Sequence, residues 1–319
     1  MPTIPISNLT IAEPTSGVNE FIPIVQGGTT LKLPTTAFMG GICNTKTSGY
    51  TSIGGGFRNV ACGSTSVIAG GSQNCASGPL SFIGGGGGNI ASGSSSSIVV
   101  GGICNTTSGG YSFIGNGRGN NLTGSTSFLG GGFYNCNEGN CSFIGSGFCN
   151  RIYSNSFTTF IGAGRCNIAC GSSNAIGGGS SNETIGGGNN TIGGGYGNDV
   201  NGTFGTIAGG YYNKACGRSF VGGGHRNCAY GFCSSVLGGG NNKACALNSS
   251  ILGGKFNTVL PAHNDSFILG NGIETNAAST TFVNNLSSTG SINAGNGFTG
   301  DIASCTSITV TNGIITAAS

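Results

Sequence analysis

The sequence predicts an all-β fold, a parallel β-solenoid (β-roll) of about sixteen coils with about 15 residues each. Three observations predict it. Glycine supplies 67 of 319 residues, too many for helices, whose interiors glycine weakens. An asparagine recurs at 44, 59, 74, 89, 105, 120, 135, 150, 167, 182, 198, 213, 227, 242 and 257, mostly 15 residues apart, inside the unit S-x-I-G-G-G-x-x-N-x-A-x-G. Apolar residues hold fixed places within that unit, which disordered chains lack. No strict Gly-X-Y triplet supports collagen.

Clear copies of the unit are SVIAGGSQNCASG at 66–78 and SFIGGGGGNIASG at 81–93. TIGGGNN at 184–190 reads as a truncated copy, and SFILGNG at 266–272 as a degenerate last one. So short a period suits one turn of two short strands and two tight corners. The Gly-Gly-Gly run permits positive φ and close backbone approach at the first corner. The glycine four residues after the Asn is expected to do the same at the second. Stacked at about 4.8 Å, the coils would form a rod on the order of 75 Å long.

Stacking turns each repeat position into a row. The inward rows are expected to be Ile53, Ile68, Ile83, Val99, Ile114, Leu129, Ile144, Ile161 and Ile176, with Ala61, Ala76, Ala91 and Ala169 opposite. The Asn side-chain amides would hydrogen-bond along their own row, a structural role.

The residue before each inward Ile should face the other way. There the chain places Val67, Phe82, Ile98, Phe113, Phe128, Phe143 and Phe160, where a lone solenoid in water would carry polar groups. Later the row turns small or polar, through Ala175, Thr184, Thr191, Thr206, Ser235 and Ser250, with Phe220 and Phe267 between. A continuous exposed apolar stripe is rare on monomers, so burial against identical chains is expected. The alternative is a strand register that puts this row inside.

The two residues before each Asn collect aromatics and cations, among them Phe57, Arg58, Phe133, Tyr134, Tyr211, Tyr212, His225 and Arg226, with Lys214 and Lys243 just after the Asn. Stacking would build a mixed aromatic and basic edge. Rings and guanidinium forks suit sugars and anionic glycans. The same long side chains would also simply shield exposed corners.

The 14 cysteines fall on few repeat positions. C-N-E-G-N-C and C-A-Y-G-F-C bridge the second corner, which suggests the disulfides Cys136–Cys141 and Cys228–Cys233, with Cys166–Cys170 a further pair. Free thiols filling small slots are the alternative. No C-x-x-C occurs, so neither metal nor other cofactor is expected.

Catalytic constellations are lacking. The eight acids form no pair at repeat spacing, and only His225 and His263 could serve as imidazole bases. GGYGNDV at 194–200 fits a calcium-binding nonapeptide once, but that site needs Asp in successive turns. A formal charge of +3 does not suggest nucleic-acid binding. No stretch is long and apolar enough to span a membrane. A non-enzymatic protein is expected.

The repeat SxIGGGxxNxAxG resembles the left-handed parallel β-roll heads of trimeric autotransporter adhesins and similar repeats of bacteriophage tail-fibre proteins. The likeness covers residues 37–272. Residues 4–33, with F-I-P-I-V-Q-G-G-T-T, resemble the N-terminal segment of virion-fibre proteins, and the C-terminal FVNNLSSTGSINAGNGFTGDIASCTSITVTNGIITA also looks fibre-like. An autotransporter would carry a secretory signal and a membrane anchor, and neither pattern is read here. The resemblance therefore implies a homotrimeric virion fibre with three parts: an attachment segment (1–36) that binds another virion protein, the Gly-rich solenoid (37–272) and a C-terminal fibre segment (273–319). Its partner would be a host-surface glycan or protein. The alternative is a bacterial cell-surface adhesin or filament subunit.

Overall fold

The computed structural model describes residues 21–26, 29–34 and 43–284. Strands β1 (Phe21–Gln26) and β2 (Thr29–Pro34) pair antiparallel, with Gln26 opposite Thr29. Gly27-Gly28 separates them in the sequence, a two-residue spacing typical of tight hairpins. The rest of the expected attachment segment, and residues 285–319 of the expected C-terminal segment, lie outside the described residues.

From residue 43 the chain winds into parallel coils, each carrying two strands of two or three residues. One sheet stacks 16 strands, from β4 (Ser52–Ile53) to β33 (Thr281–Val283). The other stacks 15, from β3 (Thr45–Lys46) to β31 (Thr258–Val259). Pairing keeps repeat positions aligned: Ile68 lies between Ile53 and Ile83, and Ala76 between Ala61 and Ala91. A third ladder of single-residue bridges joins the positions two before each Asn, from Phe57–Ser72 to Gly240–Lys255. The stack also runs past Gly272, because β33 pairs with β32 (Phe267–Leu269). No helix occurs among the described residues.

The core is the thin layer between the two sheets. The expected Ile/Val/Leu row is buried along its length, and Ala61, Ala76, Ala91 and Ala169 are buried opposite. Full burial of one such Ile is worth about 1.5–3 kcal/mol. The smaller row also takes Thr107, Asn137 and Thr184, all fully buried. The Oγ1 atoms of Thr107 and Thr184 and the Oδ1 of Asn137 have no hydrogen-bond partner.

The Asn row ties the coils together, by a different pattern from amide-to-amide stacking alone. The Asn74 Nδ2 donates to the Gly70 carbonyl of its own coil (3.1 Å) and to the Gly86 carbonyl of the next (3.0 Å). Its Oδ1 accepts from the backbone N–H of Asn89 (2.9 Å). The N–H to Oδ1 link runs unbroken from Asn44 to Asn257 and ends on the Ile273 N–H. Some coils add a direct amide bond, such as Asn120 Nδ2 to Asn105 Oδ1 at 3.1 Å.

The corners correct two expectations. Positive φ falls on the third glycine of the triplet, as at Gly71 (φ 93°), and on a second glycine at Gly223 (φ 150°); a Cβ at Gly71 would collide with the carbonyl oxygen of Gly86. The residue just before each Asn is also left-handed, and it is usually not glycine: Arg58, Gln73, Cys104, Tyr134 and Tyr212 all sit there with φ between 52° and 58°. At the second corner Gly63 and Gly78 permit close coil contact. The positive φ there falls two residues later, on Thr65 and Leu80.

TIGGGNN is not a truncated copy. Its residues Thr184 and Ile185 belong to the strand that follows Asn182, and Gly186 to Asn190 form that coil's second corner. Asn190 there imitates the main ladder, accepting from the Gly205 N–H and donating to the Gly202 carbonyl. Thr184 is therefore an inward residue, and Thr191 takes the outward place after Ala175. The two halves of a coil are chemically alike: a glycine, a left-handed residue, a buried polar side chain, then an outward–inward strand pair.

Two substitutions should separate these roles. Gly70→Ala, with open space at its Cβ, should leave the melting temperature within a degree or two. Gly71→Ala should lower it sharply or prevent folding. Asn135→Ala should lose about 3 kcal/mol or more by stripping partners from the carbonyls of Gly131 and Gly147 and the buried N–H of Asn150. Thermal unfolding followed by circular dichroism reads all three.

Candidate functional site

Strand alternation sends one residue of each pair inward and its neighbour outward. The stripe Val67, Phe82, Ile98, Phe113, Phe128, Phe143 and Phe160 lies on the outward side, which excludes the inside register. Its rings stack coil upon coil: Phe113–Phe128 at 5.1 Å, Phe128–Phe143 at 5.0 Å and Phe143–Phe160 at 5.3 Å, all within 10° of parallel. Even so stacked, Phe128 and Phe143 remain 36% exposed and Phe160 42%.

The corner residues expected to form one aromatic and basic edge form three groups. Phe57 and Arg58 stand together near one end, with the guanidinium 4.8 Å from the ring centroid. In the middle Phe133 bridges to Phe148, which meets Tyr134 edge-on at 6.2 Å and carries Arg165 at 5.7 Å. The third group is the densest. Tyr196, Tyr211 and His225 stack at 5.2 and 5.4 Å along the third ladder. Tyr212 turns edge-on to Tyr211 at 4.4 Å and to Tyr196 at 5.4 Å. A Cβ at Gly197, the equivalent position one coil earlier, would press into the Tyr212 ring. The small residue makes room for the large one.

Beside this group the strand residues just after each Asn run Glu183, Asp199, Lys214, Cys228, Lys243 in register, so two acids do pair one coil apart, against the expectation that none would. Tyr212, Lys214, Arg226, Cys228, Tyr230 and Lys243 line a shallow open groove of about 440 Å³. Lys214 pairs with Asp199 at 3.6 Å. Burial, and then the neighbouring Asp199 carboxylate, push the Glu183 carboxyl above its usual range. The Cys228 thiol, and then burial, push up the Tyr230 phenol. Sequence reasoning saw the two lysines but not Tyr230, which stands two residues after Cys228 and joins the groove by strand alternation. It also missed Arg218, held between Phe204 (5.3 Å) and Phe232 (5.4 Å).

The cysteines are arranged differently from expectation. All 13 among the described residues are free thiols, so the pairs Cys136–Cys141, Cys228–Cys233 and Cys166–Cys170 are not joined. Cys166 and Cys170 flank the strand Ile168–Ala169, and four extended residues span about 13 Å, beyond disulfide reach. Cys136 instead donates to Glu138 Oε1 at 3.3 Å, while Cys141 takes the left-handed corner position. Closer neighbours run from coil to coil, as between Cys149 and Cys166 or Cys62 and Cys75.

No protein-family model matches the chain, and no curated protein is significantly similar to it.

Burial, reinforced by Glu138, pushes the Cys136 thiol from 9.0 up to about 11. Mass-spectrometric alkylation at pH 8 should therefore find it reacting on the order of a hundredfold more slowly than an ordinary thiol, and Glu138→Gln should speed it. Glu183→Gln should raise the melting temperature at neutral pH, because it removes a partly buried charge beside Asp199. A raised carboxyl pKa means that the ionised form is the one the fold disfavours. The gain should therefore grow as pH rises above 4.5, the ordinary value, and vanish below it.

Proposed function

We propose that this chain is a non-catalytic, adhesive fibre subunit of a virion, which spans distance with its solenoid and meets a host cell surface along its corner edge. It needs no cofactor in this role. Three chains pack with the Val67-to-Phe160 stripes turned toward one another, and the N-terminal segment joins the fibre to another virion protein. The observation that carries this reading is the stacked phenylalanine ladder. A run of parallel, half-exposed rings presents apolar surface to water over consecutive coils, and a second copy repeats at the same rise. Its stripe can therefore meet the first in register at every coil. The single-layer core and the scarcity of acids and imidazoles suit a structural part better than a catalytic one.

Light scattering of the purified chain should give the mass of three chains, and negative-stain images should show rods. Phe128→Asp combined with Phe143→Asp should leave folded monomers. A wild-type monomer would remove the trimer. Mass spectrometry of purified virus particles should find the chain. Recovery in bacterial envelope fractions instead would favour the surface adhesin or filament subunit.

A further inference from the structure

The groove beside the tyrosine cluster gathers basic side chains. Lys214, Arg226 and Lys243 converge on it, and Asp199 offsets only Lys214. Among the described residues no carboxylate lies within ion-pair distance of Arg226 or Lys243. Two positive charges thus stand uncompensated in a depression of about 440 Å³, within the usual size of small-ligand sites. The walls include the phenols of Tyr212 and Tyr230. The stack Tyr196–Tyr211–His225 adjoins through the Tyr211–Tyr212 contact, and its last ring, the exposed His225, is followed in the ladder by Gly240.

We propose that this groove binds an acidic sugar unit of a glycan, with its carboxylate on Arg226 and Lys243 and a neighbouring neutral ring on the His225 end of the Tyr196–Tyr211–His225 stack. The chemistry selects this class in three steps. A guanidinium beside an ammonium recognises a carboxylate. The end face of an aromatic stack accepts the C–H face of a pyranose, and Gly240, next after His225 in the same ladder, brings no side chain to cover it. Glu183 and Asp199 continue the same column next to Lys214, so a densely charged polyanion extending that way meets repulsion. A glycan with isolated acidic units does not. The assignment rests on the host-surface reading above and names the kind of molecule met there.

The test is titration calorimetry of the full chain with sialyllactose against lactose, and with a hyaluronate hexasaccharide against an uncharged N-acetylglucosamine oligomer. The paired arms tell sialic from uronic acid. At least one acidic sugar should bind tenfold or more tightly than its neutral partner, and added salt should weaken it. Arg226→Gln with Lys243→Gln should lose at least tenfold in affinity with melting unchanged. Tyr211→Ala should weaken binding as well, whereas Arg118→Gln, on the same kind of corner several coils away, should not. Equal binding of acidic and neutral sugars, no binding of either acid, or undiminished binding by the double variant would overturn the proposal. So would a short DNA duplex binding as tightly, which would mark a general anion patch. The fibre reading fails separately: a sugar-binding monomer absent from virus particles would sink it and leave the groove standing, while trimeric rods that ignore acidic sugars would sink only the groove.

Discussion

The structure depends on the hydrogen bonds that one asparagine per coil makes to the next. From Asn59 onward each side chain uses both amide hydrogens and one acceptor in a place that water does not reach. Leaving any of those groups unpaired would cost about 1–3 kcal/mol each. The other corner features follow. The carbonyls that receive Nδ2 must converge on it, which bends the chain through positive φ at the third glycine and again at the residue before the Asn. The glycine that makes this bend also lies against the equivalent glycine of the next coil, where no Cβ fits.

A ladder that permits no slip makes a surface of columns. Whatever residue type the sequence holds at one repeat position for several coils becomes a continuous strip, and where the type changes the strip ends. Phenylalanine held from Phe113 to Phe160 yields a stacked apolar ladder. Its replacement by Ala175, Thr191 and Thr206 ends it within the same sheet. The strand position after the Asn shows the converse cost. Glu183 and Asp199 fall opposite one another because register gives them no choice, and like charges so placed oppose each other. Lys214, next in the column, relieves part of that repulsion.

Much of the fold was legible because the repeat exposes its own geometry. A conserved phase of Asn, Ile and Ala along the chain marks inward rows and coil length without further information. Local backbone was less legible. Nothing in the side chains of Arg58, Cys104 or Tyr134 announces a left-handed conformation; the coil imposes it on whatever residue occupies that place. GGGNN at 186–190 misled because the two corners share one chemistry, so a glycine run followed by asparagine reads as the first corner when it is the second. Cysteine spacing misled because proximity in sequence means little in a solenoid: four residues along a strand carry Cys166 away from Cys170, while one full coil brings it beside Cys149.

The site residues were visible as types and hidden as groups. A corner edge rich in rings and cations follows from composition at the positions before each Asn, yet the edge divides into three clusters because ring contacts reach only one coil. What concentrates the third cluster is an alternation of size within a single column. Gly197 lies under the ring of Tyr212, and Tyr196 and Tyr211 flank it on the adjoining ladder. The pair Gly119 and Tyr134 repeats the arrangement in the middle of the stack. A repeat protein whose coils were all alike would have a uniform surface. Replacing a side chain by glycine in one coil, and a glycine by tyrosine in the next, breaks that uniformity without disturbing the asparagine ladder, so a locally distinct surface can form while the architecture stays constant.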